Sequence, residues 1–189
     1  MAAMVEPLRM PVLSTPRLRI RDFATTDLEA VHQLLDRDIA IAGESSRSRE
    51  QRRVWLEWTV LSYAQLAELD QPPYGDRAIV RAATDRIIGA CGLVPCLVPR
   101  LGSEDQRVAP EVGMYWAVAP ALQRQGYATE AARALVAYAF GELRLRRLIA
   151  MTTFDNEASM GVMRKLGMRI TRNPRPEPAW FQVCGVLDA

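Results

Sequence analysis

The part of this 189-residue chain best suited to chemistry is Val118-Ala-Pro-Ala-Leu-Gln123-Arg124-Gln125-Gly126-Tyr127-Ala128-Thr129-Glu130-Ala131. An aromatic and β-branched run ends there at Pro120, a polar turn follows, and a helical apolar pattern begins directly after Gly126. The first N–H groups of a helix lack intrahelical partners and point outward beside the positive end of its dipole, so such a junction suits an anion, phosphate or pyrophosphate above all. Gly126 lets the backbone approach a ligand, and Ala128 keeps a large side chain out of the way. Two known phosphate loops fit poorly. The nucleotide-hydrolase loop needs a lysine and a hydroxyl after its last glycine, and the dinucleotide fingerprint needs three spaced glycines early in a βαβ unit.

Other chemistry is thinly represented. The single histidine, His32, lies among Val31, Leu34 and Leu35 and reads as a helix-surface or core-edge residue. Cys91, Cys96 and Cys184 match neither a zinc framework nor a redox pair, so they read as small buried hydrophobes, and no metal is expected. With 24 Lys+Arg against 22 Asp+Glu the net charge is +2, which argues against nucleic acid as the main partner. No apolar run is long enough to span a membrane, and Met1 to Pro16 lacks the apolar core of a signal peptide, so the expected compartment is the cytoplasm. Only Lys165 among the basic residues is lysine.

The elements that must position the loop follow from periodicity. Arg17 to Arg21 alternates as a strand, and Thr26 is the expected N-cap of a helix over Asp27 to Leu35. A second helix, with Trp55, Trp58, Leu61 and Leu66 as its apolar face, ends at Pro72 and Pro73. Ala78 to Val80 and Ile87 to Leu93 form a hairpin, and residues 94 to 110, carrying Pro95, Pro99, Gly102 and Pro110, read as a long loop. Glu111 to Val118 is a strand, Gly126 to Leu143 a helix closed by Arg144, Arg146 and Arg147, and Leu148 to Thr153 a strand. Glu157 to Leu166 is a helix that Gly167 ends in the left-handed region, and Met168 to Ile170 and Trp180 to Leu187 are strands around a proline-rich turn.

Gln123, Gly126 and Ala128 occupy the fixed positions of the Gln/Arg-x-x-Gly-x-Gly/Ala motif, so the chain resembles the GNAT superfamily of N-acetyltransferases. Asn156-Glu-Ala-Ser159 running to Lys165-Leu-Gly-Met168, Tyr127-Ala-Thr-Glu-Ala131 and the opening Thr15-Pro-Arg-Leu-Arg-Ile-Arg-Asp-Phe23 are similar to its ribosomal-protein N-terminal acetyltransferase branch. The resemblance implies an α/β, single-domain GNAT fold over residues 14–188, behind an N-terminal extension of 1–13, with a mixed central sheet whose splayed strands are flanked by helices. It implies acetyl-coenzyme A as acyl donor. The backbone amides of Arg124, Gln125, Gly126, Tyr127, Ala128 and Thr129 would hold its pyrophosphate, and Trp116, Ala117 and Val118 would bond its pantetheine arm. One N–H of that strand would polarise the thioester carbonyl.

Asn156, itself an ordinary N-cap type, would bond the pantetheine from the other side. Glu111 is the candidate general base, direct or through water. Relatives often carry a tyrosine, as acid for the leaving thiolate, where this chain has Met163. Ser159 is the replacement, since it lies one turn after Asn156 on the same helix face, with Tyr115 and Tyr127 as fallbacks.

The function implied is acetyl transfer to a primary amine, a protein N-terminus or a small molecule, by direct attack in a ternary complex. The alternative is a non-catalytic acyl-coenzyme A sensor or scaffold. A homodimer is compatible with the sequence. Nucleic acid and membrane are not expected partners.

Overall fold

The computed structural model describes residues 8–39, 46–99, 108–174 and 177–189. Alternating apolar residues place eight strands in one sheet: β1 (Leu13–Ser14), β2 (Leu18–Arg21), β3 (Gly75–Arg81), β4 (Arg86–Pro99), β5 (Val108–Val118), β6 (Arg147–Thr152), β7 (Arg169–Arg172) and β8 (Val183–Asp188). Their spatial order is β1-β2-β3-β4-β5-β6-β8-β7. Every neighbouring pair is antiparallel except β5 and β6, which run parallel because a helical crossover joins them.

Helices cover both faces. On one, α3 (Tyr127–Gly141) and α4 (Glu157–Leu166) close the main core, in which Ala131, Leu135, Met160 and Met163 meet Leu18, Ile20, Met114, Val118, Leu148 and Ala150. The other carries α1 (Leu28–His32), continued by a π-helical turn at Gln33–Asp38, and α2 (Arg49–Glu68). There Val31 and Leu56 pack on Phe23, Ala78, Val80 and Ala90. A smaller cluster on that second face joins Val98, Ile149, Phe181, Cys184 and Val186. Met10 is buried in the main core, and β1 pairs with β2, so the described residues ahead of Leu18 lie against the body of the fold. Residues 1–7 of the expected extension lie outside the described residues.

The feature that matters for function is a gap. β5 pairs with β4 along its whole length, from Val108↔Pro99 to Val118↔Gly89, but with β6 only at Gly113↔Ile149. Beyond Gly113 the two parallel strands diverge, and Met114–Val118 keeps β4 alone as its partner. This is the splaying that the family resemblance implies.

Four expectations are corrected. Residues 94 to 110 are not a long loop: β4 runs to Pro99 and β5 starts at Val108, with 100–107 outside the described residues. Prolines are tolerated there because one flank is unpaired. β3 accompanies β4 only as far as Leu93, and Pro110 lies ahead of the single β6 contact. Thr26 caps no helix; it sits inside a 3₁₀ turn, Thr25–Asp27, where the Asp27 carboxylate takes the Ala24 N–H at 2.8 Å and Arg21 at 2.7 and 3.0 Å.

The face expected of α2 holds only in part: Trp55 packs on Phe23 in the second core, but the helix turns Trp58 and Leu61 outward. It buries Arg52, Leu56, Thr59 and Ala67, while Trp58 is 66 % exposed and Leu61 is exposed as well. Arg52 turns inward because Asp36 on the π turn receives it through two hydrogen bonds of 2.7 Å. Finally, Arg144, Arg146 and Arg147 do not close α3, which ends at Gly141. Arg147 lies in β6, where its Nε bonds Asp188 at 2.7 Å.

Candidate active site

The polar turn between β5 and α3 is shaped by two backbone inversions. After a 3₁₀ turn at Pro120–Leu122, Arg124 has φ +60° and Gly126 φ +84°. Left-handed residues at such a turn can direct neighbouring N–H groups toward one side, the kind of arrangement that makes a concave anion site. Gln123 braces the turn by donating Nε2–H to the Val118 carbonyl at 3.1 Å. Gly126 is also the N-cap of α3, with no side-chain cap hydrogen bond, so the helix starts with its N–H groups uncovered by a capping side chain. A Cβ at Gly126 would lie 3.3 Å from Arg17 Nη2 in a backbone region that disfavours side chains.

Because β5 and β6 are parallel, the helices that follow them, α3 and α4, both start beyond the C-terminal ends of these strands. In α4 the Asn156 Oδ1 accepts the Ser159 N–H at 3.0 Å. That cap uses the amide oxygen, and an asparagine carries two further donors on its nitrogen. Ser159 is partly exposed, and because its backbone serves the cap its hydroxyl is not needed for it. One turn on, Met163 is wholly buried, its sulfur 3.0 Å from where a Gly185 Cβ would be, so it belongs to the core.

Along β5, residues alternate between faces. Met114, Trp116 and Val118 belong to the α3/α4 side, whereas Tyr115 packs with the α1/α2 cluster, the side that Glu111 and Ala117 share. Glu111 lies two residues before the divergence, its side chain 20 % exposed and Oε1 3.7 Å from Arg147 Nη1. It therefore sits near the apex of the gap, next to a guanidinium that is itself tied to Asp188.

Of the fallback tyrosines, Tyr127 is buried, with Arg17 Cζ 4.5 Å above its ring, and serves packing. Tyr115 lays its ring across Gly92 of β4, where a Cβ would stand 2.9 Å from Tyr115 Cε1, and donates its hydroxyl proton to Asp76 of β3. Burial and the neighbouring Asp76 carboxylate push the Tyr115 phenol well above its usual ionisation range. Losing its proton would set a phenolate against a carboxylate, so it is a poor acid for a departing thiolate.

Two arrangements here were not visible in the sequence. One is the Asp76–Tyr115 pair, to which α2 is joined because the Tyr63 hydroxyl donates to the Asp76 carbonyl at 2.5 Å. The other joins Thr15 and Arg17 to Glu130 in the first turn of α3. The opening Thr15-Pro-Arg17 segment was singled out without a role; its partner lies 113 residues away and no local spacing reveals it.

Comparison with known proteins agrees with this geometry. The family model of the acetyltransferase (GNAT) domain matches residues 17–169, and the chain belongs to that family. An uncharacterized N-acetyltransferase of Bacillus subtilis, YoaA, is 29 % identical over 160 residues, 84 % of this chain and 83 % of that protein. The fold is shared with the ribosomal-protein-S5-alanine acetyltransferase of Vibrio fischeri, with a TM-score of 0.69, 15 % identity, and coverage of 95 % of this chain and 97 % of that one. Mycobacterium smegmatis RimJ, solved in complex with CoA-disulfide, gives a TM-score of 0.63 at 15 % identity, covering 91 % of this chain and 82 % of the other. Acetyl transfer is thus the chemistry of the family to which the chain belongs.

Proposed function

We propose that this protein transfers the acetyl group of acetyl-coenzyme A directly to a primary amine in a ternary complex. The observation that carries the reading is the divergence of β5 from β6 immediately below the uncapped N-terminus of α3. An anionic head group fits the amides of Arg124 to Thr129, and an extended amide-containing arm fits the half-paired backbone of Trp116, Ala117 and Val118. We assign the Asn156 amide, at the start of α4, to the other side of the same opening.

The chemistry assigned to the chain's residues is limited. The amine nitrogen attacks the thioester carbonyl carbon, whose oxygen gains charge and takes a backbone N–H of β5; the C–S bond then breaks. Glu111, directly or through water, takes the amine proton, and Ser159 offers its hydroxyl to the thiolate. One oxyanion donor of this kind is typically worth about 2.7 to 4 kcal/mol. An α-amino group, with a reference pKa of about 7.7, is roughly one-sixth neutral at pH 7, against about one part in 2,500 for a lysine. A protein or peptide α-amine therefore asks less of a single carboxylate base and is the acceptor class we favour. We assign choice of the acceptor to α2, which exposes Trp58 and Leu61, and to the end of β4, which exposes Leu97.

The test is release of free thiol from acetyl-coenzyme A on a panel of peptide and small-molecule amines, with mass spectrometry of the products. Acetylated product is expected for at least one α-amine. Met163 and the unsuitable Tyr115 favour one other reading, a coenzyme A-binding protein without turnover. Tight binding of acetyl-coenzyme A with no thiol release across the panel would establish that reading instead.

A further inference from the structure

An acidic residue in the first turn of an anion-binding helix is at odds with its task, and Glu130 is such a residue. Its carboxylate is nevertheless fully engaged from outside the helix. Oε1 accepts the Thr15 hydroxyl at 2.6 Å and the Arg17 backbone N–H at 3.0 Å, and Oε2 accepts Arg17 Nε at 2.6 Å. The same guanidinium donates from Nη1 to the Gln125 carbonyl at 2.9 Å and sits over the ring of Tyr127. One arginine therefore does two things at the turn. It cancels the charge that would repel an anion, and it fastens the backbone just before Gly126.

Exposure gives the pair a direction. The Arg17 side chain is 45 % exposed and that of Glu130 only 17 %, so the arginine is the outer member and covers the acid. A cleft of 670 Å³ opens alongside, lined by Thr15, Arg17, Gly126, Thr129, Glu130 and Lys165 among others. Without Arg17 the Glu130 carboxylate would stand in this cleft, beside the start of α3, with its charge uncompensated.

We propose that Arg17, held by Glu130, is a positioning residue for the acyl donor: it masks Glu130 so that the N-terminus of α3 presents positive charge to the coenzyme's pyrophosphate. This rests on the coenzyme reading above. Arg17 acts through Glu130 and Gln125 and is not itself a phosphate ligand.

Calorimetric titration of acetyl-coenzyme A into wild type, Arg17→Ala, Glu130→Gln and the double variant separates the alternatives, with the melting temperature of each ligand-free protein measured alongside. Arg17→Ala is expected to raise Kd on the order of tenfold at low salt, the effect of one uncompensated charge near a doubly charged group, and by less at high salt. Adding Glu130→Gln to it should restore most of the loss, because the offending charge is then gone. Glu130→Gln alone removes the negative charge; its amide nitrogen cannot accept from Arg17 Nε as Oε2 does, but with Arg17 still positive the variant should bind at least as tightly as wild type, so the proposal stays open to test even if Arg17→Ala fails to fold.

An unchanged Kd in Arg17→Ala, a double variant as weak as Arg17→Ala, or a Glu130→Gln variant that binds several-fold more weakly than wild type would each overturn the masking role. Wild-type protein that takes up no acetyl-coenzyme A would instead overturn the coenzyme reading, and the masking role with it; wild-type binding with an insensitive Arg17→Ala sinks the masking role alone.

Discussion

Ser159 is where the site can be tested most cleanly at the scale of one side chain. Its backbone N–H completes the Asn156 cap, so Ser159→Ala keeps the start of α4 and removes only the hydroxyl. If that hydroxyl serves the leaving thiolate, kcat should fall on the order of 10²-fold, with the KM for acetyl-coenzyme A and the melting temperature little changed; steady-state kinetics on an identified acceptor measures the split. A parallel fall in thermal stability would point to a capping role instead. The Asn156 cap and the left-handed Gly167 were legible in the sequence because each is defined by its neighbours, a cap by the turn after it and a left-handed glycine by the helix it ends. Arg17 and Tyr115 were not, since their meaning comes from Glu130 and Asp76, which local spacing does not connect to them.

At the scale of elements, α2 is anchored by a charge. Asp36 has a side chain 1 % exposed and accepts Arg52 twice, the Arg47 N–H at 2.9 Å and a bond with His32 Nδ1 at 3.0 Å. Burial alone would raise its pKa, but the bonds from Arg52, Arg47 and His32 outweigh it and bring it from 3.8 to about 2. A folded-state pKa below the unfolded value contributes stability that is fully present above about pH 4 and is lost as pH falls toward 2, here about 2 kcal/mol. Urea unfolding at stepped pH should show that loss in wild type. Asp36→Asn should lack this contribution while losing about 3 to 5 kcal/mol at neutral pH, because Arg52 would keep a buried, unpaired charge. The same pair explains why the face of α2 was misread: hydrophobicity favoured Trp58 and Leu61, and nothing near Arg52 in the chain announces its partner. The prolines of residues 94–110 misled for a related reason. A proline forbids a strand only where both edges are paired, and pairing is a property of the sheet rather than of the segment.

For the molecule as a whole, the chain order of strands and helices was legible from periodicity, apart from the two-residue β1 at Leu13–Ser14. The coenzyme reading makes a prediction at this scale too. A ligand that binds only the folded chain adds about 2.7 kcal/mol at a hundred times its Kd. For a chain of this length that corresponds to a rise in melting temperature of about 5 to 10 °C. Thermal scans with acetyl-coenzyme A should show it, and ATP, which lacks the pantetheine arm, should not reproduce it. Equal shifts from both would make the protein a general nucleotide binder.

The single Gly113↔Ile149 contact between β5 and β6 has a further consequence, for the end of the catalytic cycle. If the pantetheine arm completes the sheet as a borrowed strand, the spent coenzyme departs only when that strand is peeled away again. Turnover is then linked to how readily the two halves of the sheet give up their shared ligand, so residues that only tighten that grip would slow the enzyme once transfer itself is fast.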